Sequence, residues 1–416
     1  MMKKNLIILF LFIICHCVYS RTVDVRDYGA VGDGIENNTF YFKKAISELN
    51  NNDTLYISKG SYVIDYFKID NLSNIIITGG GELKASSSAA MYFFLINNCD
   101  SLNIDDLILN GSNISRVGVE IWDSSNVFFN SLEIFDFYGK DNNWSAGILI
   151  RSKNHNLKIM NSRIYNIKSD NNGAIGIYYF IKEAEVDNNQ GILITKNLIE
   201  NINSPLDADA IRLQNLKVKS EIVIQNNLIQ NFGKRAIKIQ TDNVKILNNR
   251  IYQYGNYGNA FSVISIYGSN VLVESNYFES FEDSSANMFS DISSVRNIAL
   301  LDNTFIISDK AKAFVKDFIN IKHHTYDDDD FSENINVKRN YVKNIRHFLF
   351  LNSNIFDSFL EENIVLDLRN ALIGTSPDIK FNSIEIKTKK NSWNNGKYRM
   401  FITSNPSIKN VMIEEE

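Results

Sequence analysis

The sequence predicts an all-β, single-stranded parallel β-helix of about ten or eleven coils, on three observations. Asn accounts for 57 of 416 residues, and Asn is poor inside helices and good in turns. Apolar and β-branched residues alternate with period two in short runs, the mark of strands. One eight-residue pattern returns about every 27 residues, a solenoid signature. Only 3 Pro and 20 Gly occur, which excludes a collagen-like chain or a disordered linker protein. At 44% hydrophobic residues, the chain can bury a substantial core.

Residues 1–20 read as a secretory signal. Lys3 and Lys4 give the charged start, and Leu6–Cys15 is an apolar run too short to span a bilayer comfortably. Small residues at Val18 and Ser20 place cleavage after Ser20. The expectation is a secreted or periplasmic protein whose mature charge falls from -5 to -7 as the two lysines leave. A lipid anchor at Cys15 or Cys17 is disfavoured by the bulky Ile14 and His16 before them. No later segment has 18 uninterrupted apolar residues, so no membrane span is expected. With 43 Lys+Arg against 48 Asp+Glu, the balance argues against a nucleic-acid partner. Cys99 alone remains after the signal, so no internal disulfide is expected and Cys99 reads as a small core residue. His155, His323, His324 and His347 show no metal-ligand spacing.

Residues 21–85 form an entry module. Val23–Gly34 reads VDVRDYGAVGDG, followed by Asn37-Asn38-Thr39 and a helical stretch from Phe40 to Leu49. Thr54–Ile57, Gly60–Tyr62 and Ile75–Gly81 follow as strand and turn segments. Gly29, Gly32 and Gly34 are expected to supply unusual backbone angles. A phosphate-binding loop is rejected, because no Lys-Ser/Thr follows the glycines. This module strongly resembles that of the pectate-lyase superfamily, which includes rhamnogalacturonases, polygalacturonases, epimerase-like proteins and phage tailspikes. The chain departs from the family form at Asn37-Asn38-Thr39, where Asp-Asp-Thr is usual, and near Ser58, where Pro is usual. The resemblance is close over residues 22–85 and extends to about 390 in architecture only. It implies a right-handed β-helix, an amphipathic helix covering its first coil, and activity on polysaccharides.

Residues 86–390 hold the repeats. Leu157–Ile164 reads LKIMNSRI, Ile222–Ile229 reads IVIQNNLI, and Val244–Ile251 reads VKILNNRI. Aligning them gives one column: Leu107, Leu132, Ser162, Asn197, Asn227, Asn249, Asn276, Asn303, Asn340, Asn363 and Asn382. Stacked Asn side chains can hydrogen-bond along such a column, so these residues are assigned a structural role. Leucine-rich repeats are excluded by the missing Leu framework. Asp327–Asp330 reads as a solvated loop; calcium, a conceivable cofactor of a lyase, would lack its usual alternating ligands there. No other cofactor is expected. Beyond about residue 390 the pattern fades, and residues 391–416, with Phe401, Ile402, Val411 and Met412, are expected to cover the open end.

The strand before each Asn turn carries the candidate site. Its repeats align on inward Ile148, Ile175, Ile211, Ile237 and Ile264. The positions flanking those residues and pointing outward bring together Asp209, Arg212, Arg235 and Lys238 as candidate catalytic groups. Asp207, Lys234, Gln214, Gln240, Arg151, Tyr178, Tyr267 and Trp144 are expected to bind substrate around them. Aromatic faces beside charged donors suit a sugar chain, and cations suit uronate or sulfate groups. The competing reading is an outer face of cross-strand ion pairs such as Asp209 with Arg235.

Two reactions fit such a patch. In β-elimination Lys238 takes the proton beside a uronate carboxylate, which Arg212 or Arg235 neutralises; crowding by Arg212, Lys234 and Arg235 should lower the lysine pKa. In hydrolysis Asp209 is the acid and Asp207 activates water, with carboxyls about 6–7 Å apart along one strand. The cations nearby should lower an Asp pKa, which is wrong for an acid. Against the polygalacturonase branch that the resemblance includes, Asp209 falls on the Asp-Asp motif, but Gly173 and Arg235 stand where Asp and His are expected. A non-catalytic glycan-binding solenoid is the third reading. Oligomeric state is not legible.

Overall fold

The computed structural model describes residues 20–86, 91–181, 190–214, 221–254, 260–281, 288–309, 317–322, 331–375, 383–393, 399–402 and 410–415. Residues 1–19 of the expected signal, His323, His324, Asp327–Asp330 and Asn382 lie outside them. The chain winds as a right-handed parallel β-solenoid of about 11 turns. Three parallel sheets run its length. The first, of 15 strands, goes from Thr22–Asp24 to Asn410–Glu415, and the second from Asp33–Asn37 to Ser392–Trp393. The third, of 13 strands, goes from Phe67–Asp70 to Arg399–Ile402. Every strand pairs with its counterpart one coil away, as period-two runs separated by fixed turns require.

The interior is a stack of like residues. Ile192, Ile222, Val244, Val271, Ile298 and Ile335 follow one another in the first sheet. Phe289, Phe318 and Phe348 stack with centroids 5.1 and 5.0 Å apart, so each coil adds aromatic contact to the next.

At the bend between the first and second sheets, Asn197, Asn227, Asn249, Asn276, Asn303, Asn340 and Asn363 form a buried ladder. From Asn227 onward each Oδ1 accepts the backbone N–H and Nδ2 of the Asn one coil earlier, at 2.9 to 3.1 Å. These bonds satisfy backbone groups that the turn would leave buried and unpaired. Ser162 begins this run by donating its N–H to Asn197. Asn391, not Asn382, ends it, accepting from Asn363 at 2.9 and 3.0 Å. A second ladder of Cys99, Ser124 and Asn154 escaped the alignment, because its members differ in type. Cys99 is buried, and burial pushes its thiol pKa up, which keeps it protonated and unreactive.

The helix α1 (Thr39–Ser47) buries Phe42 and Ala45 at the first coil, where Phe42 meets the rings of Tyr62 and Phe67. Gly29 and Gly34 do take positive φ, 102° and 75°. Gly32 does not; it is small because Gly60 passes it, and a Cβ there would stand 3.0 Å from the Gly60 Cα. At the C-terminal end, Ser392–Trp393, Arg399–Ile402 and Asn410–Glu415 each extend one sheet in parallel register.

Candidate functional site

The outer face of the third sheet owes its shape to a kink repeated in each strand. The pairing passes from Asp209–Arg235 to Ile211–Ile237 and leaves out Ala210 and Ala236. Ala210 and Ile211 both enter the core, as do Ala236 and Ile237. Two consecutive inward residues throw the side chains on either side of them outward together. Asp209 and Arg212 therefore lean toward one spot, and so do Arg235 and Lys238 one coil on.

The register corrects one assignment. Ile177, not Ile175, pairs with Ile211, and Ile175 stands beside Asp209 on the outward side. Tyr178 then lies beside Arg212, Phe180 beside Gln214 and Gly173 beside Asp207. The position thought to carry Gly173 is thus apolar. Two isoleucines spaced by two residues made the sequence ambiguous.

Asp207, Asp209, Arg212, Lys234, Arg235 and Lys238 do converge. Asp207 meets Lys234 at 2.6 Å, Arg235 at 3.1 Å, Arg212 at 3.3 Å and Lys238 at 3.7 Å. Asp209, with no exposed surface, meets Arg235 at 3.2 Å and Arg212 at 4.0 Å. Four cations thus share two carboxylates, a formal excess of positive charge. The cluster is not a solvated face: Arg235 and Lys238 are each 7% exposed. Its open edge is formed by Asp207, Lys234 and Arg212, the more exposed members.

Electrostatics separates these groups. Burial lowers the Lys238 pKa to about 8, helped by the Arg212 and Arg235 charges. Burial, more than crowding, is the main cause. Asp207 feels burial as its largest single influence, opposed by the Lys234 hydrogen bond and the charges of Lys238, Arg235 and Arg212, which together hold its carboxyl well below the usual range. It stays ionised. Arg235 is held charged by Asp209 and Asp207 against the cost of its burial.

The predicted binding residues divide. Tyr178 donates to Gln214 at 2.8 Å, and its ring lies 5.4 Å from the Arg212 guanidinium. Trp144 meets the Tyr178 ring edge-on at 5.6 Å. With Val117, Ala146, Leu149 and Ile175 they form a separate apolar cluster on the outer face. Arg151 belongs to a buried pair with Glu120, 2.8 Å away, over the Trp122 and Phe180 rings. Gln240 keeps a buried Oε1 without a hydrogen-bond partner among the described residues. Tyr267 lies one coil beyond Gln240 and donates to Asp291.

Sequence reasoning missed Asp291, Lys322 and Phe261. Asp291 follows Lys238 and Ser265 in one outward column. The column was lost because its inward neighbour is Ser290, where earlier coils have Ile. A shallow concavity of about 700 Å³ lies elsewhere, lined by Asn248, Arg250, Tyr252, Tyr277, Asp302 and Thr304; it carries none of the charged cluster. Among the described residues no three His, Cys, Asp or Glu side chains converge as a metal site. The two carboxylates of the cluster are already matched by cations, so these residues do not fit a calcium ion there. Among the described residues no helix is long and apolar enough to cross a membrane.

A family model described as "Rhamnogalacturonase A/epimerase, pectate lyase-like" matches residues 22–260, more than half of the chain. No curated protein matches in sequence. Among solved structures, ORF18 of Geobacillus virus E2 superposes with a TM-score of 0.52 at 14% identity, over 73% of this chain and 60% of that one. The chain thus spans less than two thirds of that protein. The catalytic unit of a GH87 α-1,3-glucanase from Streptomyces thermodiastaticus gives 0.62 at 15% identity, covering 92% and 70%. The A-module of the mannuronan C-5 epimerase AlgE6 from Azotobacter vinelandii gives 0.51 at 12%, covering 90% and 100%. At these identities the likeness is one of fold.

Proposed function

The chain belongs to the rhamnogalacturonase A/epimerase, pectate lyase-like family, and from that premise we propose that it cleaves an acidic, uronate-containing polysaccharide by β-elimination, as an exported protein. The observation that carries this reading is Lys238, a buried lysine with a pKa near 8 inside a cluster of excess positive charge. An anionic sugar offsets that excess. Arg212, at the open edge, pairs with the uronate carboxylate and makes the adjacent proton more acidic. Neutral Lys238 takes that proton, the carbon–carbon double bond forms, and the glycosidic bond to the neighbouring oxygen breaks. Arg235, committed to Asp207 and Asp209, holds the two coils and their charges in place. Trp144 and Tyr178 supply aromatic surface next to the cluster.

Hydrolysis is less well supported. A general acid needs a raised pKa, whereas Asp207 is held ionised, and Asp209 is fully enclosed and ion-paired. The test is incubation with a panel of uronate-containing polysaccharides, read by the ultraviolet band of unsaturated ends and by reducing sugar. Elimination raises both signals. Reducing sugar without the ultraviolet band makes the protein a hydrolase, and retained binding with neither signal makes it a glycan-binding solenoid.

A further inference from the structure

We propose that Tyr267 is the proton donor to the leaving oxygen, held in place by Asp291 and Lys322; this rests on the β-elimination reading. Expulsion of a sugar alkoxide needs a proton, and none of the cations engaged with Asp207 and Asp209 is placed to give one freely. Tyr267 lies two residues beyond Ser265, the cross-coil partner of Lys238, and its N–H donates to the Ile239 carbonyl at 2.8 Å. Tyr267 and Lys238 thus share the outward face, their Cα atoms about 8 Å apart on the diagonal of a sheet. That span leaves room for a sugar carbon and its neighbouring oxygen between the two side-chain tips.

The surroundings of Tyr267 are built rather than incidental. Its hydroxyl donates to Asp291 Oδ2 at 2.5 Å, and Lys322 Nζ reaches the same oxygen at 3.0 Å. Asp291 has no exposed surface, and its other oxygen is buried without a hydrogen-bond partner among the described residues. Phe261 sits under both Lys322 and Arg235, at 4.7 and 5.4 Å, and Arg235 Nε donates to Ser265 at 3.0 Å. These contacts tie the tyrosine side to the lysine side. Burial and the Asp291 charge raise the Tyr267 pKa, so the phenol keeps its proton at the pH where Lys238 is neutral. The raised pKa makes the phenol a weaker acid, so its donor role rests on placement and on the greater basicity of the departing alkoxide, not on the shift.

The step balances without a further reactant. The C5 proton of a 4-linked uronate passes to Lys238, and the C5–H electron pair becomes the C4=C5 bond. The C4–O4 bond breaks, and O4 takes the Tyr267 proton. The phenolate is then restored by the proton held on Lys238, through water.

The experiment compares the full chain with its Tyr267→Phe and Lys238→Ala variants in D₂O, on the uronate polymer that the unaltered protein cleaves. Ultraviolet absorbance reads elimination, and proton NMR reads deuterium entering C5. Tyr267→Phe should lose at least about 100-fold in elimination, the usual share of a general acid, while still exchanging C5 hydrogen. Lys238→Ala should lose both. Asp291→Asn supplies an independent reading: loss of its charge lowers the Tyr267 pKa, so the basic limb of kcat moves to lower pH. The donor role is overturned if Tyr267→Phe eliminates within a few-fold of the unaltered protein, if it loses exchange together with elimination, or if Asp291→Asn leaves the basic limb in place. Those outcomes leave Lys238 as the base. An unaltered protein that eliminates no uronate polymer overturns the reading beneath, and the donor with it.

Discussion

Arg235 and Asp209 are cross-coil partners in one outward column, and their ion pair at 3.2 Å is almost wholly removed from water. A buried pair contributes little over an apolar replacement, but removing one partner leaves a charge in a site that cannot solvate it. Arg235→Ala should therefore destabilise the fold by about 3–5 kcal/mol. Arg163, paired with Glu200 at 2.8 Å but 48% exposed in its side chain, is the control. Arg163→Ala should cost less than about 1 kcal/mol. Urea unfolding of both variants checks the contrast; equal losses would mean that burial does not govern these pairs.

The Asn ladder offers a second contrast. Asn249 accepts two bonds from Asn227 and donates to the Ile224 carbonyl and to Asn276. Asn249→Ala leaves a buried N–H and a buried carbonyl unpaired, at a cost of about 3 kcal/mol. Asn270, also one of a column, bonds Asn243 at the surface with φ near 57°. Asn270→Gly keeps that left-handed backbone and should cost less than about 1 kcal/mol. Thermal midpoints that fall equally would sink the distinction between buried and exposed ladders.

The pH dependence follows from Lys238. With a pKa of about 8, its neutral fraction grows as pH rises toward 8 and levels above it. kcat/KM for an acidic polysaccharide should follow that limb. Arg212→Ala removes one of the charges that depress this pKa, so the limb should move to higher pH. For stability, the folded pKa lies below the ordinary 10.5. Between about 8 and 10.5 the unfolded chain holds a proton that the folded chain has lost, so Lys238 makes stability rise with pH across that window. Lys238→Met should flatten this rise in unfolding experiments at several pH values.

Ile237 has no exposed surface and is paired on both sides by Ile211 and Ile264. Ile237→Asp places a carboxylate among the apolar residues of the solenoid core. Severe destabilisation, by several kcal/mol, is expected. A variant with an unchanged circular dichroism melt would show that the inward assignment is wrong.

The architecture was legible because a solenoid repeats its physics. Each coil meets the same demands, an apolar alternation for the interior and an amide at the bend, so like residues return at Asn227, Asn249 and Asn276. Where demand relaxes, legibility fails. Cys99, Ser124 and Asn154 perform one ladder function with three residue types, and no alignment of letters groups them.

The sequence by itself grouped Asp209, Arg212, Arg235 and Lys238 around inward Ile211 and Ile237 in two adjacent coils, but strict alternation would turn Asp209 and Arg235 inward with those isoleucines, and only the kink at Ala210 and Ala236 brings all four to one face. Only the tertiary structure decided that Ile177 is the inward residue of the preceding coil, that Ile175 stands beside Asp209, and that Asp291 extends the column past Lys238. The reason is physical. Side-chain alternation repeats every two residues, so Ile175 and Ile177 satisfy the pattern equally, and only the backbone hydrogen bonds to the neighbouring coils choose between them. Burial was likewise beyond the letters: whether a charged outward residue meets water depends on the chain that surrounds it, and that surrounding, more than its neighbours in sequence, sets the pKa of Lys238.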